Sequence, residues 1–165
     1  ERIDEAFNQV NAALADELLT ELLNNSPAFF ERVVVALLVK MGYGGDLEGA
    51  GRVTPVSGDE GIDGIIREDK LGFSSIYIQA KRYAREQSVD RPAIQGFVGA
   101  IANKVGKGLF ITTARFTSGA RSCAEQNHIV LIDGEKLANL MIEYGVGVST
   151  VQTYEIKKVD SDFFA

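Results

Sequence analysis

The sequence predicts a mixed α/β domain, with a central mixed sheet flanked by helices. Apolar residues recur at helical spacing in the first 41 residues, and short apolar strands alternate with helices from residue 52 onward. The strand–helix–strand–helix–strand order between residues 75 and 132 implies right-handed parallel crossovers with both sheet faces covered. A chain of 165 residues with 45% hydrophobic content suits one compact domain and excludes an intrinsically disordered protein.

The N-terminal region predicts two helices. Leu14, Leu18 and Leu22 recur at helical spacing, so residues 3–23 are expected to form an amphipathic helix. Ser26-Pro27 supplies the N-cap and first residue of a second helix, which ends at Gly42. We expect residues 1–25 to be an N-terminal helix that packs on a domain formed by residues 26–165.

The rest of the chain predicts the strands and three further helices. Strands are expected at residues 52–56, 62–67, 75–81, 108–113 and 129–132, the second and third forming an antiparallel hairpin. Helices are expected to begin at Asp90, at Thr117 or Ser118, and at Asp133, which are residue types that cap helices. Gly145 ends the last helix, and residues 148–158 are expected to be a final extended segment.

Composition and charge exclude several classes of protein. The single Cys123 cannot form an internal disulfide, which favours a reducing, cytoplasmic compartment, and one cysteine with one histidine excludes a soft-ligand zinc site. No apolar run is long enough to cross a membrane. The net charge is -6, yet residues 81–121 carry 8 basic and 2 acidic side chains. This basic stretch suits either a phosphate-facing surface or ordinary solvated charges.

A polar cluster stands out in the predicted hairpin. Gln79 and Lys81 share one face of their strand, and the paired strand opens near Asp63. Polar groups on a covered sheet need partners or a ligand. Hard oxygen donors are the ligands that Mg²⁺ prefers, so the cluster suits metal-assisted phosphodiester hydrolysis. We predict that Asp63, the Gln79 side-chain oxygen and the Ala80 carbonyl bind Mg²⁺, that Lys81 orients or deprotonates the attacking water, and that Glu31 is a further acid near the metal.

Each of these residues also has an ordinary structural interpretation. Asp63 lies between Ile62 and Gly64 and could simply form a turn, while Gln79 and Lys81 could be the exposed face of an edge strand. Glu31 could be a solvated helix residue. Thr112 and Thr113 are expected to make hydrogen bonds at a strand end, although their hydroxyls could instead meet a phosphate.

Five sequence blocks occur in a characteristic order: Phe30-Glu31, residues 58–64, residues 78–81, residues 94–97 and residues 108–113. Their order resembles the catalytic domain of Mrr-type restriction endonucleases, within the PD-(D/E)xK nuclease superfamily. The resemblance covers residues 15 to 158. It implies a restriction-endonuclease-like α-β-β-β-α-β core, here with an extra N-terminal helix.

The resemblance also implies roles for individual residues. It implies that Asp63 is the motif aspartate, that Gln79 occupies the usual glutamate position, and that Lys81 is the motif lysine. Glu31 then corresponds to the first-helix acid, and Gln95 to a polar residue on the helix after the active-site strands. Gln79 departs from the superfamily pattern because it removes a negative charge from the metal site. Asp59 or Glu60 could supply that charge.

The function implied is a Mg²⁺-dependent endodeoxyribonuclease, with Mn²⁺ as a substitute, that acts as a restriction enzyme on foreign or methylated double-stranded DNA. Residues 26–165 are then the nuclease catalytic domain, and a separate DNA-binding domain is expected N-terminal to this chain. No membrane partner is expected, and a homodimer is among the oligomeric states left open. The alternatives are a catalytically silent DNA-binding or assembly domain of the same fold, and a junction-resolving or repair nuclease.

We predict that DNA lies across the basic stretch. The expected DNA contacts are Arg82, Arg85, Gln95, Arg115, Thr117 and Arg121. The N-terminus of the helix that begins near Thr117 is a second potential phosphate site. The acidic segments 1–23 and 133–165 are expected to face away from the duplex.

Overall fold

A computed structural model describes residues 1–44 and 61–165, and within them the chain forms five α-helices. The helices are α1 (Arg2–Asn24), α2 (Pro27–Lys40), α3 (Arg91–Ile101), α4 (Ser118–Gln126) and α5 (Gly134–Tyr144). None of the helices in this part of the chain is long and apolar enough to cross a membrane.

Four strands of the described residues form the central sheet, in the order β1-β2-β4-β6. They are β1 (Gly64–Arg67), β2 (Ser75–Lys81), β4 (Gly106–Thr112) and β6 (Ile129–Ile132). β1 pairs antiparallel with β2, whereas β2, β4 and β6 are parallel. Two short strands, β3 (Ser88–Val89) and β5 (Arg115–Phe116), form a separate parallel pair. The sheet is therefore mixed, as the sequence predicts.

Hydrophobic side chains cover both faces of this sheet. On one face, Ile78 of β2 and Ile111 of β4 pack in a cluster with the buried sides of α1, α2 and α5. On the other face, Phe110 of β4 packs among residues of α3 and α4, with its ring edge-on to Phe97 and Phe116 at centroid distances of 5.8 Å. Successive side chains of a strand point to opposite faces, so β2 and β4 supply both clusters.

Helix caps set the boundaries that the sequence predicts. The side chains of Ser26, Asp90, Thr117 and Asp133 each accept a backbone N–H of the first helical turn, at 3.1, 3.3, 3.1 and 2.9 Å. Thr117 rather than Ser118 is the cap of α4. Gly145 ends α5 in the left-handed conformation, with φ of 70°. Each cap satisfies a donor that the helix leaves unpaired.

The strands agree with the sequence prediction at β2 and β6 and differ elsewhere. β4 begins at Gly106 rather than at residue 108, and β1 begins at Gly64 rather than at residue 62. The strand predicted at residues 52–56 lies outside the described residues. The final extended segment expected at residues 148–158 forms no strand of the sheet, and nearly all of its residues are exposed. Gly145 and Gly147, which precede this segment, both have left-handed φ.

The N-terminal helix belongs to the hydrophobic core through its second half. Ala15, Leu18, Leu19 and Leu22 are buried with residues of α2 and α5. The first ten residues are exposed, including Ile3, Phe7 and Val10. Helix α1 thus reaches the end of β2 with its C-terminal half, which matters for the arginines that follow that strand.

Candidate active site

Asp63 lies at the edge of the sheet, immediately before β1 begins. Its backbone N–H donates to the Ile78 carbonyl at 2.7 Å. Its carboxylate oxygen Oδ2 accepts two hydrogen bonds, from the backbone N–H of Ala80 and from Nε2 of Gln79, each at 2.7 Å. If β1 were longer, its backbone would accept the Ala80 N–H of β2. The Asp63 carboxylate accepts this N–H instead. This substitution explains why the strand begins two residues later than its apolar pattern predicts.

Gln79 is a buried polar residue, with 4% of its surface exposed. Its amide nitrogen is bonded to Asp63, and its amide oxygen Oε1 lies beside Gly61. A Cβ atom at position 61 would come within 3.3 Å of this oxygen, and Gly61 has a φ of 77°. A glutamate at position 79 would place a second carboxylate against Asp63, whereas the amide donates to it. The amide therefore orders Asp63 without requiring a counter-charge.

Glu31 of α2 approaches Asp63 from the face of the sheet that α2 covers. A narrow cleft is lined by Glu31, Val34, Asp63, Ile78 and Ala80, among others. Burial of the carboxyl and, second, the negative charge of Asp63 raise the pKa of Glu31 above its ordinary value. The structure thus brings Glu31 to Asp63, as the sequence analysis expects.

Lys81 ends β2, half-buried, on the same face of the strand as Gln79. Among the described residues its ammonium makes no hydrogen bond or ion pair. The carbonyl of Ala80 lies on the same edge of β2 as its N–H, which is bonded to Asp63, because the two polar groups of a strand residue point the same way. Asp63, Gln79, Ala80 and Lys81 are therefore contiguous at one corner of the sheet.

The donors at this corner fit a hard divalent cation. A carboxylate, an amide oxygen and a backbone carbonyl, with the Glu31 carboxyl nearby, are all oxygen ligands of the kind that Mg²⁺ takes. Within residues 1–44 and 61–165, no group of three or more His, Cys, Asp or Glu side chains could hold a metal ion. The described donor set is therefore limited to two carboxyl groups plus neutral oxygens. Asp59 and Glu60, considered as extra ligands, lie outside the described residues.

Two of the expected DNA-contacting arginines are engaged by the N-terminal helix. Nη1 of Arg82 donates to the carbonyl of Leu23 at 2.8 Å, and Nε of Arg82 is buried without a hydrogen-bond partner in the described chain. Arg85 forms an ion pair with Asp16 at 2.8 Å. The carbonyls at the end of a helix are unpaired and carry partial negative charge, so a guanidinium binds there favourably.

The acidic segments, which are expected to face away from the duplex, contribute residues that lie next to the basic residues expected to bind DNA. Asp16 contacts Arg85 directly. Arg85, Arg115 and Arg121 also line a groove of about 1150 Å³ together with acidic residues of both segments, including Asp16 and Asp133. None of Asp63, Gln79, Ala80 and Lys81 lines this groove. Opposite charges gather there because the ends of β2 and β4 meet α1 and the start of α5.

The remaining expected contacts lie on the surface or serve the fold. Gln95, Arg115 and Arg121 are exposed. The Thr117 hydroxyl oxygen accepts the Ala120 N–H and so caps α4. Thr112 and Thr113 are buried and donate to backbone carbonyls, as their strand-end position predicts.

Comparison with known proteins identifies the family. The family model described as "Restriction endonuclease", the Mrr catalytic domain, matches residues 22–141. The type IV methyl-directed restriction enzyme EcoKMrr of Escherichia coli K12 is 46% identical over 166 residues, which are 99% of this chain and 53% of that protein. The chain therefore spans about half the length of this curated relative.

Two solved structures share the fold. The MspJI restriction endonuclease, in complex with a 27-mer oligonucleotide, has a TM-score of 0.54 and 24% identity over 79% of this chain and 31% of that chain. The DNA modification-dependent restriction endonuclease AspBHI has a TM-score of 0.55 and 20% identity over 82% of this chain and 36% of that chain. At these identities the likeness concerns the fold alone, and it confirms the predicted fold class. With the family match over residues 22–141 and the 46% identical relative, the chain belongs to the Mrr-type restriction endonuclease family.

Proposed function

We propose that this chain is the nuclease domain of a Mg²⁺-dependent restriction enzyme that hydrolyses phosphodiester bonds in foreign or methylated double-stranded DNA. The observation that carries the proposal is the corner formed by Asp63, Gln79 and Ala80, with Glu31 facing it. Family membership and the methyl-directed relative support the choice of substrate. In this proposal residues 26–165 form the catalytic domain, α1 braces it, and a DNA-reading domain belongs to the part of the relative outside this alignment.

Asp63, Gln79, Ala80 and Glu31 would hold the Mg²⁺, for which Mn²⁺ can substitute. When bound, such a metal lowers the pKa of a coordinated water and neutralises charge on the phosphate. The protein residues orient the metal ligands and the attacking water. The Gln79 amide and the Ala80 N–H hold the Asp63 carboxylate in one orientation before any ligand arrives. Lys81 orients or deprotonates the attacking water and stabilises charge on the phosphate.

The exposed Arg115 and Arg121 are the proposed phosphate contacts, with Gln95 and the capped start of α4 at Thr117. Arg85 joins them only if a phosphate displaces Asp16, and Arg82 only if one displaces the Leu23 carbonyl. Replacing both Arg115 and Arg121 with alanine should weaken duplex binding and reduce its dependence on salt, by a slope of roughly 0.9 per lost phosphate contact. An unchanged slope would place the duplex elsewhere.

The catalytic proposal is tested by plasmid cleavage. Methylated and unmethylated plasmids are incubated with the protein and Mg²⁺ or Mn²⁺, with EDTA as the metal-free control. Lys81→Ala should reduce cleavage by at least about 100-fold. Lys104→Ala is the matched control, since it removes the same charge from an exposed position of the same basic stretch. Cleavage that survives EDTA, or that Lys81→Ala leaves intact, contradicts the proposal, whereas the absence of cleavage by the wild type with either metal favours a catalytically silent domain.

A further inference from the structure

The carbonyl oxygen of Lys81 receives an unusual number of hydrogen bonds. It accepts from the Thr112 hydroxyl at 2.7 Å, from the Tyr83 N–H at 3.1 Å and from the Thr113 N–H at 3.3 Å. A carbonyl oxygen has two lone pairs, which the three donors share, and the hydroxyl bond is the shortest of the three. The Thr112 hydroxyl is the nearest donor and holds the end of β2 in place.

The hydroxyl group of Thr112 is used entirely in hydrogen bonds to backbone groups. Its side chain is completely buried, with 0% exposure, at the last residue of β4, where the parallel register pairs it with Lys81. The hydroxyl hydrogen goes to the Lys81 carbonyl, and the hydroxyl oxygen accepts the Ala114 N–H at 3.1 Å. A buried hydroxyl that both donates and accepts has no capacity left for a phosphate. The alternative raised by the sequence, a phosphate contact, is therefore not the role of this residue.

Thr113 offers a natural comparison. It is equally buried, at 2% exposure, and its hydroxyl donates to the Tyr83 carbonyl at 2.5 Å. The two neighbouring threonines thus make the same kind of bond to carbonyls two residues apart. Of the two hydroxyl groups, only that of Thr112 bonds to a residue of the candidate active site.

We propose that Thr112 is a positioning residue for Lys81, an inference that rests on the nuclease function proposed above. By bonding to the Lys81 carbonyl, the hydroxyl fixes the backbone position from which the lysine side chain extends. Asp63 fixes the preceding residue from the other edge of β2 through the Ala80 N–H. The two contacts together hold consecutive residues of the site from both sides of one strand. A backbone free to move at Lys81 would displace the ammonium from the reacting phosphate, which reduces the rate of the chemical step.

The test compares Thr112→Val, Thr112→Ser and Thr113→Val. Valine matches threonine in shape and lacks the hydroxyl, and Thr113→Val removes an equivalent buried hydroxyl from the adjacent position. We expect Thr112→Val to reduce the single-turnover cleavage rate at saturating protein by about ten-fold, with duplex affinity unchanged. Thr112→Ser should recover most of the rate, and Thr113→Val should leave it close to wild type at a similar loss of thermal stability. Equal losses in both valine variants, or a serine variant as slow as valine, would overturn the proposal.

Amide hydrogen exchange supplies a readout that is independent of cleavage. The Tyr83 and Thr113 amides both donate to the Lys81 carbonyl, so they should exchange faster in Thr112→Val, while an amide in the middle of β2 keeps its protection. Unchanged exchange at both amides would overturn the positioning role. If the wild type cleaves no DNA, the nuclease function fails, and exchange alone decides whether Thr112 holds Lys81. Should Thr112→Val not fold, Thr112→Cys, with its weaker S–H donor, replaces it with the same expected directions.

Discussion

The two ends of the central sheet each carry an aspartate whose carboxylate accepts more than one hydrogen bond, and the two arrangements have different consequences. At one end, Asp69 accepts the N–H groups of Leu71, Gly72 and Phe73 on Oδ1, at 2.9, 2.7 and 3.1 Å. At the other end, Asp63 bonds to Gln79 and Ala80 on the next strand. Asp69 accepts more bonds than Asp63, so a high number of bonds does not mark the site aspartate. The span of the bonds along the chain does mark it.

The bonds of Asp69 close a local turn and leave nothing for a ligand. They reach residues two to five positions away, and those N–H groups lower the pKa of Asp69, that of Phe73 most. The bonds of Asp63 reach residues 16 and 17 positions away, and they use one carboxylate oxygen, Oδ2. A carboxylate held by distant residues, with the amide of Gln79 and the acid of Glu31 around it, is an arrangement that can bind a cation.

The largest expected effect tests directly whether Asp63 and Asp69 differ in function. Asp63→Ala should abolish plasmid cleavage, by at least about 100-fold, because it removes the charged donor of the site. Asp69→Ala removes the same charge from the opposite end and should leave cleavage near wild type. The measurement is the initial rate of nicking for both variants, with circular dichroism to confirm that each is folded. Equal rates in the two variants would remove the functional distinction between the two ends.

Close packing at the site end predicts a large effect on stability. A Cβ atom at Gly134, the first residue of α5, would lie 2.2 Å from the Thr113 carbonyl oxygen. Gly134→Ala should therefore reduce the free energy of unfolding by roughly 2–4 kcal/mol, since backbone must shift. Gly99→Ala in α3 is the control, because a Cβ there meets nothing within 4 Å and should stabilise the helix by about 0.5–1 kcal/mol. Urea denaturation measures both, and a neutral Gly134→Ala would contradict this packing.

Gln79→Glu sharpens the comparison at the site itself. The new carboxylate faces Asp63, so without metal the variant should be less stable than wild type by roughly 1–2 kcal/mol. Mn²⁺ should bind it more tightly and raise its Tm by more than it raises that of wild type. Calorimetric titration and thermal melts with and without Mn²⁺ measure the two quantities. Unchanged metal affinity would argue that position 79 does not contribute a ligand.

The smallest expected effect concerns Asp69 and pH. Its folded-state pKa is lowered, so its charge stabilises the protein above the unfolded-state pKa of about 3.9, and this contribution is lost as pH falls through the folded pKa. Asp69→Asn should therefore have a slightly lower Tm than wild type at pH 6. The difference should disappear in acid below the folded pKa. A Tm difference that stays the same from pH 6 into acid below the folded pKa would show that the charge of Asp69 is not responsible.

The part of the fold that the sequence determines is local in origin. The bounds of β2 and β6, the caps at Ser26, Asp90 and Asp133, and the end of α5 at Gly145 follow from periodicity and capping within a few residues. The pairing of Asp63 with Gln79 was also predictable, because a hairpin sets two strands in a register that the alternation of side chains reveals.

Tertiary structure alone decided the contacts that span long stretches of chain. The Thr112 hydroxyl meets a carbonyl 31 positions away, Arg82 a carbonyl 59 away, and Arg85 a carboxylate 69 away. No local pattern predicts that α1 passes the end of β2, so only tertiary packing decides that Arg82 and Arg85 contact this helix. Periodicity tells which face of an element is buried. Only the packing of elements tells which polar group each buried donor or acceptor meets, because every such group needs a partner and several could supply it.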